Sequence, residues 1–243
     1  MSCVTPADLG KPIPAIVERC GTPDTVLSLS TSNTLSYFGG GRNTVIWFDA
    51  DQMRARILQF SAMQPAPSQP YADWILTLPF ASGAREIALG QMTLADAQSV
   101  LAADADVATD IGAAFRSTAQ NDVVLAASSD DHVLRAAFVG ERASLMQAGL
   151  IASPLGDAPL DYMSPVPRDA WLLPLTASTG SRATMFRIDV DAEGIARNVT
   201  VVIPSDDAAF DAATQQRIGD AKFRPATLDK RPVTGSCFVQ VRH

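Results

Sequence analysis

The chain has 243 residues, 19 basic and 26 acidic side chains, a formal net charge of −7, two histidines and three cysteines. Its hydrophobic content of 47% supports packed cores, and its acidic balance argues against a nucleic-acid binder, which needs a basic face. Two histidines and three scattered cysteines exclude most zinc-site patterns. No run approaches 18 uninterrupted apolar residues, so no membrane-spanning helix is expected.

The segment Met1–Pro6 has no basic patch followed by an apolar run, so it does not read as a signal peptide in the chain as it stands. Cys3 and Cys20 are near enough to close a short loop as a disulfide in an oxidising compartment. The favoured reading is a buried helical Cys20 with a free thiol. Cys237 lies far from both.

Ile13, Ile16, Val17 and Cys20 recur at i, i+3, i+4 and i+7, the apolar face of a short helix that Gly21 and Pro23 end. Short β-like runs follow at Thr25 to Ser30, Leu35 to Phe38, Thr44 to Phe48 and Ala55 to Phe60, with Asp49-Ala50-Asp51 as a turn. The first unit is therefore a helix followed by an antiparallel meander, over residues 1–62. The prolines of 61–80 mark a connector, with a strand open at Trp74 to Leu78. A second helix-plus-sheet unit is expected over 63–151. Thr93 and Asp96 approximate a capping box before Leu94, Ala97 and Leu101. Strands are expected at Asp122 to Ala127 and Val133 to Val139, and a short helix within 141–150. Placing the second unit over the first gives offsets that drift, so internal duplication and two unrelated small units both stay open. Five prolines crowd 152–174 and define a connector over 152–175, whose Tyr162, Trp171 and Leu172 suit packing.

The last piece, 176–243, has the sharpest pattern. Phe186, Ile188 and Val190 alternate with polar residues, Asp191-Ala192-Glu193-Gly194 makes a hairpin turn, and Val199, Val201 and Ile203 form the return strand. Ser205, Asp206 and Asp207 supply a helix start, with Phe210, Thr214, Ile218 and Ala221 on the buried side. Cys237, Val239 and Val241 share one face of a last strand. The fold class is α+β.

The residues that could do chemistry have ordinary structural uses. His132 follows Asp130 and Asp131 in a turn, and His243 is terminal. Asp130-Asp131, Asp206-Asp207 and the Asp49/Asp51 pair sit at turns and a helix start, where Asp is locally favoured. Gly39-Gly40-Gly41-Arg42 lacks the lysine and helix of a phosphate loop and reads as a hairpin tip. Trp47, Trp74 and Trp171 are expected in core or linker-packing roles ahead of a ligand groove. No catalytic residue, metal site or cofactor is expected. A hydrolase with an unrecognised site in the N-terminal units, resting on His132 near acidic residues, is the alternative.

The stretch Phe186 to Gly194, with Val199-Thr200-Val201-Val202, Phe210-Asp211-Ala212-Ala213, Lys222-Phe223-Arg224-Pro225-Ala226 and Arg231-Pro232-Val233, resembles the TonB C-terminal domain family. That resemblance implies a small antiparallel sheet on one helix, with an open edge to which a partner's extended peptide adds. It implies a non-enzymatic protein-binding role in the periplasm, connected with transport across the cell envelope, and a protein or peptide partner such as an outer-membrane receptor. On the same ground the docking edge is expected at Ser236, Cys237, Phe238, Val239, Gln240 and Val241. No N-terminal anchor or long proline-rich spacer is read in the sequence as it stands, and roughly 150 further residues are counted upstream of the resembling stretch. An accessory or structural binding role is thus expected over energy transduction. The first unit, with Cys20-Gly21-Thr22-Pro23-Asp24 closing its helix, is similar to domains of the BamE and β-lactamase-inhibitor-protein type. An exposed edge strand also opens self-dimerisation.

Overall fold

The computed structural model describes residues 3–28, 32–64, 70–101, 107–109, 111–118, 120–128, 131–151, 162–172 and 183–242. Helix α1 (Ile13–Cys20) leads into β1 (Thr25–Ser28), β2 (Asn33–Gly39), β3 (Arg42–Phe48) and β4 (Ala55–Ala62). The hairpin β5 (Trp74–Phe80) and β6 (Gly83–Leu89) precedes α2 (Leu94–Leu101). Then come β7 (Val107–Thr109), β8 (Gly112–Arg116), β9 (Asn121–Ala127), β10 (Leu134–Glu141) and α3 (Arg142–Gln147). Two short strands, β11 (Tyr162–Met163) and β12 (Val166–Pro167), and a 3-10 turn at Ala170–Leu172 follow. The last region holds β13 (Ala183–Val190), β14 (Ala196–Ile203), α4 (Ala208–Gly219), β15 (Phe223–Arg224), β16 (Ala226–Leu228), β17 (Arg231–Val233) and β18 (Gly235–Arg242). The class is α+β, with antiparallel sheets.

Contacts divide the chain into two compact units, one of residues 1–11, 37–47 and 54–157, the other of residues 12–36, 48–53 and 158–243. The first 62 residues thus contribute to both.

In the first unit a sheet runs in the order β2-β3-β4-β10-β9-β8-β7, with β4 through β7 paired antiparallel. Its central strands are apolar on both faces: Val123, Val124, Leu125, Ala137 and Val139 are all fully buried. That explains why β9 and β10 read as continuous apolar runs rather than alternating ones. Leu145 of α3 and Ile151 close one face over Ile57, Ala114 and Val124. Helix α2 is capped as its sequence implies, Thr93 Oγ1 accepting from Asp96 N at 3.1 Å while Asp96 Oδ2 accepts from Thr93 N at 3.2 Å.

In the second unit α1 starts after the extended Pro12, buries Ile13, Ile16 and Val17, and stops at Gly21, whose φ is +80°. β1 pairs with the first half of β2, Val26 opposite Leu35 and Ser28 opposite Asn33. β13 is the centre of a three-stranded antiparallel sheet ordered β14-β13-β18. Phe186, Ile188, Val190, Ile218, Phe223, Cys237 and Val239 form its core with Leu172 of the 3-10 turn. The short strands β11 and β12 pair with β16 and β15, so the described part of the proline-rich stretch is tied into this unit. Residues 152–161 and 173–175 of that stretch, with Asp130 and His243, lie outside the described residues.

Candidate partner-binding edge

The candidate edge is built by a hairpin, a helix and a returning strand. The hairpin turn closes through Gly194 N to Asp191 O at 3.1 Å, while Asp191 Oδ1 accepts from Glu193 N and Ile195 N at 3.0 and 2.8 Å. The Ile195 amide, followed by the Arg197 guanidinium, holds the Asp191 carboxyl below its ordinary range despite some desolvation. Helix α4 is capped by Asp207, which accepts from Ala209 N and Phe210 N at 3.0 Å. Of its expected buried side, Thr214, Ile218 and Ala221 are buried and Phe210 is half-buried. Asp211 is buried too, which no local pattern announces. Its carboxylate turns inward to the Thr184 hydroxyl and to Ser205, whose Oγ donates at 2.7 Å. Gln215 Nε2 donates to Val199 O at 2.6 Å, fastening α4 to β14, and Arg217 stacks 3.9 Å over the Trp171 ring.

β18 pairs along the whole of β13, from Gly235 opposite Val190 to Arg242 opposite Ala183. All six expected edge residues, Ser236 to Val241, therefore lie on the strand that ends this sheet order. Cys237, Phe238 and Val239 are buried, while Ser236, Gln240 and Val241 are half-buried. Phe238 meets Phe48 edge-to-face at 5.2 Å. On the same side a polar cluster forms: Ser236 Oγ donates to Asp189 Oδ1 at 2.7 Å, Arg187 Nε lies 3.3 Å from that oxygen, and Asn198 Nδ2 donates to Asp189 Oδ2 at 3.1 Å. Desolvation pushes the Asp189 carboxyl up, and these hydrogen bonds with the Arg187 charge outweigh it, so its net shift is downward.

The outer side of β18 carries contacts that no local pattern announced. Phe238 N donates to Ser28 Oγ at 2.7 Å, Gln240 Nε2 to Pro23 O at 2.8 Å, and Arg242 Nη2 to Asp24 O at 2.6 Å. A groove beside the strand is lined by Val26, Pro165, Trp171, Leu172, Val239 and Val241.

Cys3 and Cys20 are disulfide-bonded, and Cys237 is a buried free thiol. Burial, and secondarily the Asp189 charge, pushes the Cys237 thiol up to about 12. A disulfide-exchange thiol reagent at about pH 8 should therefore titrate no thiol in the native chain, one after denaturation without reductant, and three after reduction. Fast native labelling would contradict the burial of Cys237, and three thiols without reductant would contradict the disulfide.

The other chemically suggestive residues stay apart. His132 is exposed in a turn with φ of +58°, its amide donating to Ser128 O at 3.2 Å. Asp131 accepts from Val133 N at 3.0 Å, and that bond, with Ser128, lowers its carboxyl. Asp49 accepts from Gln52 N within its turn, and Asp51 faces Arg187 at 3.6 Å. Gly40 and Gly41, with φ of +56° and +72°, form the β2–β3 hairpin tip, and Arg42 turns its guanidinium to Asp73 O. Trp74 packs on Phe60 at 5.5 Å, and Trp47 Nε1 reaches Gln59 Oε1 at 3.4 Å. Among the described residues, no three His, Cys, Asp or Glu side chains group as metal ligands, and no helix is long and apolar enough to cross a membrane.

Residues 183–242 match the model of the family described as the Gram-negative bacterial TonB protein C-terminal. That is a family of non-enzymatic protein-interaction domains, and the match supports an interaction role in the cell envelope for this quarter of the chain. No curated protein matches the chain. Among solved structures, one similar chain is a cysteine-rich secretory protein from Staphylococcus aureus subsp. aureus Mu50, at 6% identity and a TM-score of 0.38. The alignment covers 63% of this chain and 50% of that one, so this chain spans half the length of that protein.

Proposed function

We propose that the chain is a non-enzymatic periplasmic binding protein that captures an extended segment of an envelope partner, such as an outer-membrane receptor, by adding a strand to the edge Ser236 to Val241. The observation that carries this reading is the place of β18 at the end of the β14-β13-β18 order, inside the region that matches the TonB C-terminal model. An edge strand offers a row of backbone donors and acceptors that an extended peptide satisfies, and alternate side-chain positions give specificity. A disulfide between Cys3 and Cys20 suits an oxidising compartment. The hydrolase reading has no comparable support, since His132 serves a turn.

The Phe238 amide points away from β13 toward Ser28, so the Gln240 amide, two residues on, faces the same way. Gln240→Pro removes that donor from the outer edge while leaving the inner ladder in place. Recovery of an envelope partner on the immobilised full chain should fall to background in Gln240→Pro, with the far-UV spectrum unchanged. Equal recovery by both forms would overturn the edge as docking site. Self-pairing through the same strand would show as a light-scattering mass of twice the chain's own, lost in the same variant.

A further inference from the structure

Two of the three contacts on the outer side of β18 share one register. Ser28 lies against Phe238, and Asp24 against Arg242. Four residues back along one segment correspond to four forward along the other, so Pro23–Ser28 runs antiparallel to β18 in constant register. Pro23 O accepts from Gln240 Nε2 and Arg242 Nη2, long side chains that reach three positions and one position past that register. This is the position of a fourth strand beside β14-β13-β18. Yet the bonds are between side chains and backbone, and the sheet order among the described residues stops at β18. Val26, whose side chain is buried, lines the apolar groove beside Val239 and Val241.

We infer that Pro23–Ser28 is a built-in guard strand: it occupies the docking edge as a stand-in for the partner, and the partner must displace it. The inference rests on the edge reading proposed above. The guard holds β18 through side-chain bonds, so an incoming strand that forms a full backbone ladder replaces them with more numerous ones. The guard also fixes the kind of partner. The incoming segment runs antiparallel to β18, presents backbone carbonyls opposite Gln240 and Arg242, and carries a branched aliphatic side chain where Val26 now sits. A tethered guard competes at a high effective concentration, so the native chain binds such a segment weakly until the guard loosens. The same contact shields the edge from pairing with another copy.

The test uses a fluorescein-labelled peptide of residues 22–28, Thr-Pro-Asp-Thr-Val-Leu-Ser, titrated with the full chain up to about 1 mM, the effective-concentration scale of a short tether. Ser28→Ala removes the acceptor for Phe238 N, and the peptide should then bind about fivefold more tightly than to the native chain. Exchange of the Phe238 amide with solvent should quicken in the same variant. Adding Gln240→Pro to Ser28→Ala should abolish binding. Equal or weaker binding to Ser28→Ala, with binding still lost in Gln240→Pro, would overturn the guard and leave the edge reading standing. Absent binding, or binding indifferent to Gln240→Pro, would overturn the edge reading and the guard with it.

Discussion

Phe186→Ala is expected to lower the unfolding free energy of the C-terminal region by about 4 kcal/mol. Phe186 is the middle of the central strand, fully buried, and packed among Ile188, Ile218 and Phe223. Truncation removes a ring from a site ringed by backbone-anchored neighbours on both β13 and α4, so collapse into the cavity is limited. Domain stabilities run at about 5–15 kcal/mol, so a loss of this size consumes much of the reserve. Urea titration read by exchange protection of the β13 amides should show it as a large drop in midpoint. Met163→Ala, at an exposed strand position, should stay within about 0.5 kcal/mol. A loss below about 1 kcal/mol for Phe186→Ala would contradict the core assignment.

Gly194→Ala is the second large effect, at about 3 kcal/mol. Gly194 sits at φ of +81°, a conformation that L side chains adopt at a penalty. A Cβ there would also lie 2.3 Å from Phe223 O, a backbone atom fixed by its strand. Gly194 O itself accepts from Phe223 N at 3.1 Å, so relieving the clash breaks the link between the hairpin and β15. A thermal midpoint for Gly194→Ala within 2 °C of the native value, roughly the effect of only a few tenths of a kcal/mol, would show that the turn is looser than described.

The elements of the C-terminal region were legible because each carries its own local signal. Alternation at Phe186, Ile188 and Val190 marks a strand with one buried face, Asp207 marks a cap, and Asp191 to Gly194 marks a turn. The Thr93–Asp96 box and α1 were legible for the same reason. Partners distant in sequence were not. Ser28 and Phe238 are 210 positions apart, and nothing in Thr25-Val26-Leu27-Ser28 distinguishes a strand that guards an edge from one that extends a meander. The burial of Asp211 is not legible in its own helix because the groups that donate to its carboxylate, Thr184 and Ser205, come from a strand and a turn outside the helix. The interleaving of the two compact units was hidden in the same way, since composition shifts mark where the chain changes character and not where it returns.

The most direct measurement is site-specific photocrosslinking in living Gram-negative cells, with benzoylphenylalanine placed at Gln240 on the edge or at Ala209 on the exposed side of α4. Strand addition at β18 predicts a crosslinked envelope partner from Gln240 and none from Ala209. A partner crosslinked from Ala209 and absent from Gln240 would contradict docking at the final strand.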